Sequence, residues 1–335
     1  MAKERTSPAG RVVAVTGASE YLGRRLVEYL RAHPDYRKVC VIDVREPACA
    51  SGPKTVFCPV DLTMPEAGRE LAGIFIKHKV DILVHLAFLS HPLQDVSYAH
   101  ELQVIGTLHL LNGASAARVM KVIMLGDTKS YGARPNNPNF LSESDPLRGV
   151  SHSPLISDLV EVEKQLAEFA RKHPRAICTV LRMGNILSRE VDGFIPRLLA
   201  GPTVPVVMGY DPLMQFLHHD DALAAIKLAV VGDHPGAYNI TAEGVLPLST
   251  AIRMGGRLCL PIPHCLWERF GSLLWAFQVQ DIPPSLLPYL RYLFVADGEK
   301  ARRLLGFVPT HSSREILIEF YRQGRLQPTG LPSQE

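Results

Sequence analysis

The chain has 335 residues, 47% of them apolar, and a formal net charge of +3 with Lys and Arg scattered along it. That length and apolar content suit one large domain, or a domain with a smaller appended lobe, and the unclustered charge gives no case for nucleic acid as a partner. No apolar stretch reaches the length of a membrane span, and the opening segment MAKERTSPAG lacks the apolar region of a signal peptide.

The first predicted strand, Val12–Thr16, runs into Gly17, and a helix is expected over Leu22–Ala32. Strand, glycine turn and helix together aim backbone N–H groups at a pyrophosphate. Gly17, Ser19, Glu20, Tyr21, Leu22 and Gly23 are therefore candidate cofactor-binding residues. The next strand, Lys38–Val44, carries Asp43, 20 residues beyond Gly23. A carboxylate there accepts hydrogen bonds from an adenosine ribose and repels a 2′-phosphate, which favours NAD over NADP. Glu20 stands where the usual spacing calls for glycine, and its charge should weaken pyrophosphate binding unless the side chain swings outward.

Further strands are expected at Thr55–Val60, Asp81–Leu86, Lys121–Leu125 and Ile177–Arg182, with helices at Pro65–His78, Val96–Ala117 and Leu155–His173. Apolar residues at Leu159, Val162, Leu166 and Phe169 give the last of these its helical period. Apolar strands alternating with helices mean a parallel sheet covered on both faces. After Gly184 the pattern becomes irregular and rich in proline. A strand at Ala237–Thr241 and helices near Ala222–Val231 and Ser249–Leu258 fit a smaller lobe. The segment Pro261–Val295 holds both tryptophans, Trp267 and Trp275. Its bland reading is a helical cover or a subunit contact; the sharper one is a lid over an apolar ligand.

The fold class is thus α/β: a Rossmann-type, doubly wound parallel sheet with a small C-terminal substrate lobe. The expected division is 11–183 for the NAD-binding domain, with interleaved segments near 215–241, and 184–326 mainly for the substrate lobe. Residues 1–10 and 327–335 are expected to be flexible ends. The six cysteines form no CxxC and no zinc-like spacing with histidine, so no metal is expected and a reducing cytoplasm is the simple reading.

Nine short motifs, in order, resemble the extended short-chain dehydrogenases/reductases, the NAD-dependent epimerase/dehydratase family. Thr16-Gly17…Gly23 resembles TGxxGxxG, Val60-Asp61-Leu62 the "DL" after the third strand, and His85-Leu86-Ala87 the "HLAA" after the fourth. Gly106-Thr107, Tyr131-Gly132 and Leu181-Arg182…Asn185 are similar to "NVxGT", "SSxxVYG" and "LRxxNxxG". His218-His219-Asp220-Asp221-Ala222, Tyr238-Asn239-Ile240 and Asp297…Leu305-Gly306-Phe307…Pro309 complete the series. The resemblance implies Asp61, Leu62, Leu86 and Ala87 as further cofactor contacts. Within the family, the chain is similar to a bacterial subgroup labelled UDP-glucose 4-epimerase-like, whose members often lack the usual active-site residues.

The resemblance also implies a catalytic serine, tyrosine and lysine, at positions that here carry Asp127, Leu155 and Leu159. Leucine has no proton to exchange. The residues four before Lys129, Lys164 and Lys172 are Leu125, Val160 and Glu168, and no YxxxK occurs in the chain. Asp127, Thr128 and His152 are the candidate substitutes, with Ser151, Ser153 and Asp158 close by. Against that, they read as ordinary polar groups of a loop and a helix start. Tyr131 reads as a packed turn residue; Lys129 could reach a ribose, but reads first as a solvated surface lysine. On the substrate side the family's asparagine is Asn185. The family's phosphate-gripping arginine is replaced by Met214, with Arg197 and Arg291 as candidate replacements.

The resemblance further implies a homodimer through the helices Val96–Ala117 and Leu155–His173, and a nucleotide sugar or an apolar small molecule as ligand. Three functions follow: an NAD-binding protein whose standard catalysis is lost, an epimerase or oxidoreductase with relocated acid/base groups, or a protein-interaction scaffold without cofactor.

Overall fold

The computed structural model describes residues 10–89, 95–149, 153–267, 269 and 284–326. In chain order the first half runs β1 (Arg11–Thr16), α1 (Tyr21–Ala32), β2 (Tyr36–Asp43), β3 (Thr55–Pro59), α2 (Ala67–His78), β4 (Ile82–His85), α3 (Val96–His100), α4 (Gly106–Ala117), β5 (Lys121–Asp127), α5 (Pro154–Lys172) and β6 (Ile177–Met183). The second half runs β7 (Asn185–Ile186), α6 (Phe194–Ala200), β8 (Thr203–Val207), β9 (Leu213–Met214), β10 (Phe216–Leu217), α7 (His219–Val231), β11 (Gly236–Ile240), β12 (Leu246–Pro247), α8 (Leu248–Met254), β13 (Leu258–Ile262) and α9 (Ser313–Leu326).

Seven strands form one parallel sheet in the order β11-β6-β5-β4-β1-β2-β3. The alternation of side chains along β1 divides the core in two. Val13 and Val15 pack with Leu26, Val27 and Leu30 of α1 and with Ala222 and Ile226 of α7. Val12 and Ala14 point to the other face, among Leu71 and Phe75 of α2, Leu110 of α4 and Leu166 of α5. A third apolar cluster gathers Phe194, Val206, Met214, Phe216, Tyr289 and Phe320, from segments after β6.

Two expectations need correction. The helix read as Val96–Ala117 is broken by a π-helical turn at Glu101–Ile105. The helix read as Ser249–Leu258 ends at Met254, because Gly255 and Gly256 follow and Gly256 adopts φ +65°. Leu258 instead opens β13, which pairs in parallel with β8; the prolines at 202, 205, 261 and 263 hide both strands from pattern reading.

The carboxyl ends of β1, β4, β5 and β6 open together on one side of the sheet, where α/β proteins place their ligands. Gly17, Leu86, Asp127 and Gly184 follow or end these strands.

Candidate functional site

The turn after β1 is built around two glycines. Gly17 has φ +70°, and a Cβ there would lie 2.7 Å from the Ala87 backbone N. A Cβ on Gly23 would lie 2.1 Å from the Gly17 carbonyl oxygen. Both contacts are with main chain, so any larger residue pushes α1 off the sheet. Beneath the turn, the Thr16 hydroxyl meets His85 Nδ1 at 2.7 Å, and His85 Nε2 meets Thr107 Oγ1 at 3.1 Å. Burial holds the His85 imidazole neutral, its pKa down at about 3.

Helix α1 starts without a cap. Glu20 sits at the N-cap with extended backbone, makes no side-chain cap bond, and no acid occupies the first turn. Its side chain is exposed. The free N–H groups and dipole at this end favour an anion. Asp43, at the end of β2, is tied to the same turn: its Oδ2 accepts from Ser19 N at 3.1 Å and Ser19 Oγ at 2.9 Å. Asp61 Oδ1 accepts from Thr63 N at 2.9 Å and Thr63 Oγ1 at 2.7 Å. Leu62 is buried against Gly106.

From this turn a cleft of about 910 Å³, open to solvent at its mouth, runs between the sheet and α6. Glu20, Tyr21, Leu22, Gly23 and Leu86 line one end; Leu125, Gly126, Asp127, Lys129, Leu159 and Asn185 line the other. Phe88, Met183, Ile186, Phe194 and Ile195 make most of the remaining wall apolar.

Leu159 stands in the wall at 7% exposure, and Leu155 packs partly buried against the third apolar cluster. Asp127 caps the turn that follows β5. Its Oδ1 accepts from Lys129 N at 2.7 Å and its Oδ2 from Lys129 Nζ at 2.8 Å. The reading of Lys129 as a solvated surface lysine is corrected here. The residue is buried, ion-paired, and held by a hydrogen bond from the Tyr289 hydroxyl to its carbonyl oxygen. That contact comes from far along the chain, which is why local sequence did not reveal it.

Thr128 is buried and lines a separate small cavity with Asn185, Gln215 and Phe294. His152 and Ser151 lie outside the described residues, as does Trp275. Asp158 accepts from, or shares a proton with, His100 Nδ1 at 2.8 Å, and burial raises its pKa. Tyr131 belongs to a buried network: its hydroxyl donates to Asn239 Oδ1 at 2.8 Å and accepts from Arg182 Nη1 at 2.6 Å. Arg182 also grips Glu163 through Nε at 3.0 Å and Nη2 at 2.9 Å. Burial pushes the Tyr131 hydroxyl up to about 12, so it keeps its proton at neutral pH.

Asn185 reaches the cleft. Its Nδ2 donates to the Gln215 carbonyl at 3.0 Å, while its buried Oδ1 has no hydrogen-bond partner among the described residues. Met214 is fully buried in the third cluster and supplies no cation. Arg197 pairs with Asp192, Nε to Oδ1 at 2.7 Å; Asp192 lines the cleft, but Arg197 is not among the lining residues. Arg291 is placed elsewhere. It stacks between Tyr210 and Tyr292 at 4.5 and 4.9 Å from the ring centroids and meets His264 Nε2 at 2.9 Å. The expectation that Arg291 replaces the missing phosphate arginine is therefore not carried by its position.

The model of the NAD dependent epimerase/dehydratase family matches residues 13–241. An uncharacterised protein of Mycobacterium tuberculosis is 30% identical over 324 residues, covering 95% of this chain and 85% of that one. A 3-diazoavenalumate denitrifying reductase of a Streptomyces species is 26% identical, covering 90% of this chain and 97% of that one. The crystal structure of DesIV, a dTDP-glucose 4,6-dehydratase from Streptomyces venezuelae with NAD and TYD bound, superposes with TM-score 0.71 at 23% identity, over 94% of this chain and 97% of that one.

Proposed function

The chain belongs to the NAD-dependent epimerase/dehydratase family, and from that premise we propose that it is an NAD-binding member from which the family's tyrosine–lysine proton relay has been lost. The cleft suits a dinucleotide. The flush Gly17–Gly23 turn and the uncapped start of α1 would meet a pyrophosphate, with Ser19 to Leu22 around it, and Asp43 would accept from the ribose hydroxyls. Asp61, Leu62, Leu86 and Ala87 would contact the rest of the nucleotide. When bound, NAD supplies a hydride acceptor. The observation that carries the loss of standard catalysis is Leu159, buried in the cleft wall where the family's lysine would stand. With Leu155 one turn earlier, no side chain there moves a proton. NAD rather than NADP, a homodimer, a cytoplasmic setting and the division into a nucleotide domain (11–183) and a substrate lobe (184–326) complete this reading.

Calorimetric titration of nucleotide-stripped protein tests it. NAD and NADH should bind in the micromolar range, about tenfold or more tighter than NADP. Asp43→Ala should weaken NAD by about tenfold, the worth of one good hydrogen bond to a charged group. Glu20→Gly should tighten it, by removing a carboxylate from the anion-binding helix end. No binding of any of the three at millimolar concentration sinks the reading and leaves the scaffold function.

One observation favours a second reading, an oxidoreductase or nucleotide-sugar epimerase with relocated acid/base groups. Lys129 Nζ and Asp127 line the cleft as an ion pair beside Leu159. Such a pair can pass a proton to a substrate oxygen. The Streptomyces relative, a reductase, supports this line. Turnover of any hydride acceptor that vanishes in Lys129→Met, with NAD affinity kept, would replace the first reading by the second.

A further inference from the structure

Where β10 turns into α7, outside the cleft, three imidazoles stack. The ring centroids of His218 and His219 lie 4.1 Å apart, and those of His218 and His311 4.3 Å apart. Three carboxylates border the stack, Glu319, Asp220 and Asp221, the last with its Oδ2 3.5 Å from His311 Nδ1. His218 Nε2 faces Glu319 Oε2 at 3.5 Å, and His218 Nδ1 faces Asp220 Oδ2 at 3.9 Å. His218 is 5% exposed, and its Nε2 has no hydrogen-bond partner among the described residues.

The geometry points to a divalent transition-metal site formed by His218 Nε2, His311 Nε2 and the Glu319 carboxylate. One donor atom from each of these three residues lies within 4.8 Å of the other two. A tetrahedral ion with bonds of about 2.1 Å sets its donors about 3.4 Å apart, which the His218–Glu319 separation already matches. Two imidazoles and one carboxylate select the borderline metals, zinc and its first-row neighbours, over calcium or magnesium. His311 has an acceptor for its other ring proton. His311 Nδ1 lies 2.8 Å from Thr310 Oγ1, whose hydroxyl donates to Asp221 Oδ1 at 2.6 Å. The Thr310 oxygen thus accepts the Nδ1 proton and leaves the Nε2 lone pair free, the arrangement that orients ligating histidines. His218 Nδ1 accepts from Asp220 N at 3.2 Å. An ion at Nε2 moves the ring proton to Nδ1 with no net change in protons, and so breaks the bond from Asp220 N. Glu319 is 39% exposed and leaves an open side for a water ligand. The other trio, His218–His219–Asp220, draws on three consecutive residues and a carboxylate 57% exposed, and so makes the looser cage.

The ligands come from the start of α7, the loop before α9 and α9 itself. Bound metal therefore joins α9 to the sheet domain, and zinc should raise the melting temperature of the full chain. The test is titration of EDTA-treated full-length protein with zinc chloride, read by calorimetry, melting temperature and zinc X-ray absorption. The result expected is one ion per chain in a nitrogen/oxygen shell with imidazole scattering. Affinity should fall by about tenfold or more in both His311→Ala and Glu319→Gln, and stay unchanged when the exposed Cys259 and Cys265 are both replaced by serine. His311 is half-buried and Gln is isosteric with Glu, so both variants should fold, as circular dichroism would check. No zinc binding, a sulfur shell, or binding equal in wild type and the two ligand variants overturns the proposal. Because NAD is absent from the titration, its outcome is independent of the cofactor reading.

Discussion

A neutral histidine beneath the glycine turn has a cost in acid. His85 is fully enclosed between Thr16 and Thr107, and burial depresses its pKa from 6.5 to about 3. In the unfolded chain it titrates near 6.5. Above that pH neither state binds the proton and the contribution of His85 to stability is fully present. As pH falls from 6.5 toward 3 the unfolded state takes up a proton that the folded state refuses, and stability is lost. Urea unfolding of wild type and His85→Gln across this window should show the wild type steeper by one proton, with the two slopes converging above pH 7. An equal slope in both would mean that the histidine is charged in the fold. Residues of this kind differ in how far sequence betrays them. The place of Leu159 in the cleft wall was legible because ordered motifs fix its position, and that of Asp43 beside the glycine turn because a strand end follows that turn at a set spacing. The burial of Lys129 was hidden, since it depends on Tyr289 closing over its carbonyl. The place of Arg291 was equally hidden, because two tyrosines hold it away from the cleft.

Helix α1 and strand β1 show why the first element was the easiest to read. Val12 to Val15 are all fully buried, and Leu22, Leu26 and Leu30 recur on one helical face. The join between the two elements has no tolerance. Gly23→Ala drives a methyl group into the Gly17 carbonyl, so the helix must lift from the sheet. Overpacking of this kind costs about 1–3 kcal/mol. Thermal denaturation should show a melting temperature several degrees lower, and NAD affinity should drop with it, since the same movement withdraws the N–H groups. A variant as stable as wild type would mean that the turn has slack. Elsewhere the sequence was less informative. The π turn at Glu101–Ile105 needs one extra residue per turn and carries no residue signature. Among the described residues, strands β8 and β13 pair only with each other, at proline-rich positions. Helix α7 is bound at its far end by Lys121. The buried ammonium donates to the Val230 carbonyl at 3.0 Å, to the Gly232 carbonyl and to Asp233, and so fastens the start of β5 to the C-terminal end of the helix.

At the scale of the molecule, the parallel sheet with helices on both faces was legible throughout, because fully buried strands read as unbroken apolar runs. Val96, Tyr98 and Leu108, on α3 and α4, are 46%, 47% and 42% exposed. Large apolar side chains there suit the helix-to-helix dimer proposed above. Analytical ultracentrifugation should find a dimer for the wild type and a monomer for Tyr98→Glu combined with Leu108→Glu. Two equal sedimentation profiles would place the contact on another face.

The sheet order has a consequence for how the polypeptide emerges from a ribosome. β6 leaves the exit tunnel long before β11, and everything from β7 through α7 is made between them. Until β11 arrives, β6 is an open edge of apolar residues with unpaired N–H and C=O groups, the sort of surface on which nascent chains associate. Translation speed across the proline-rich stretch from 196 to 235 thus sets how long that edge stays uncovered, and with it the demand this protein places on chaperones.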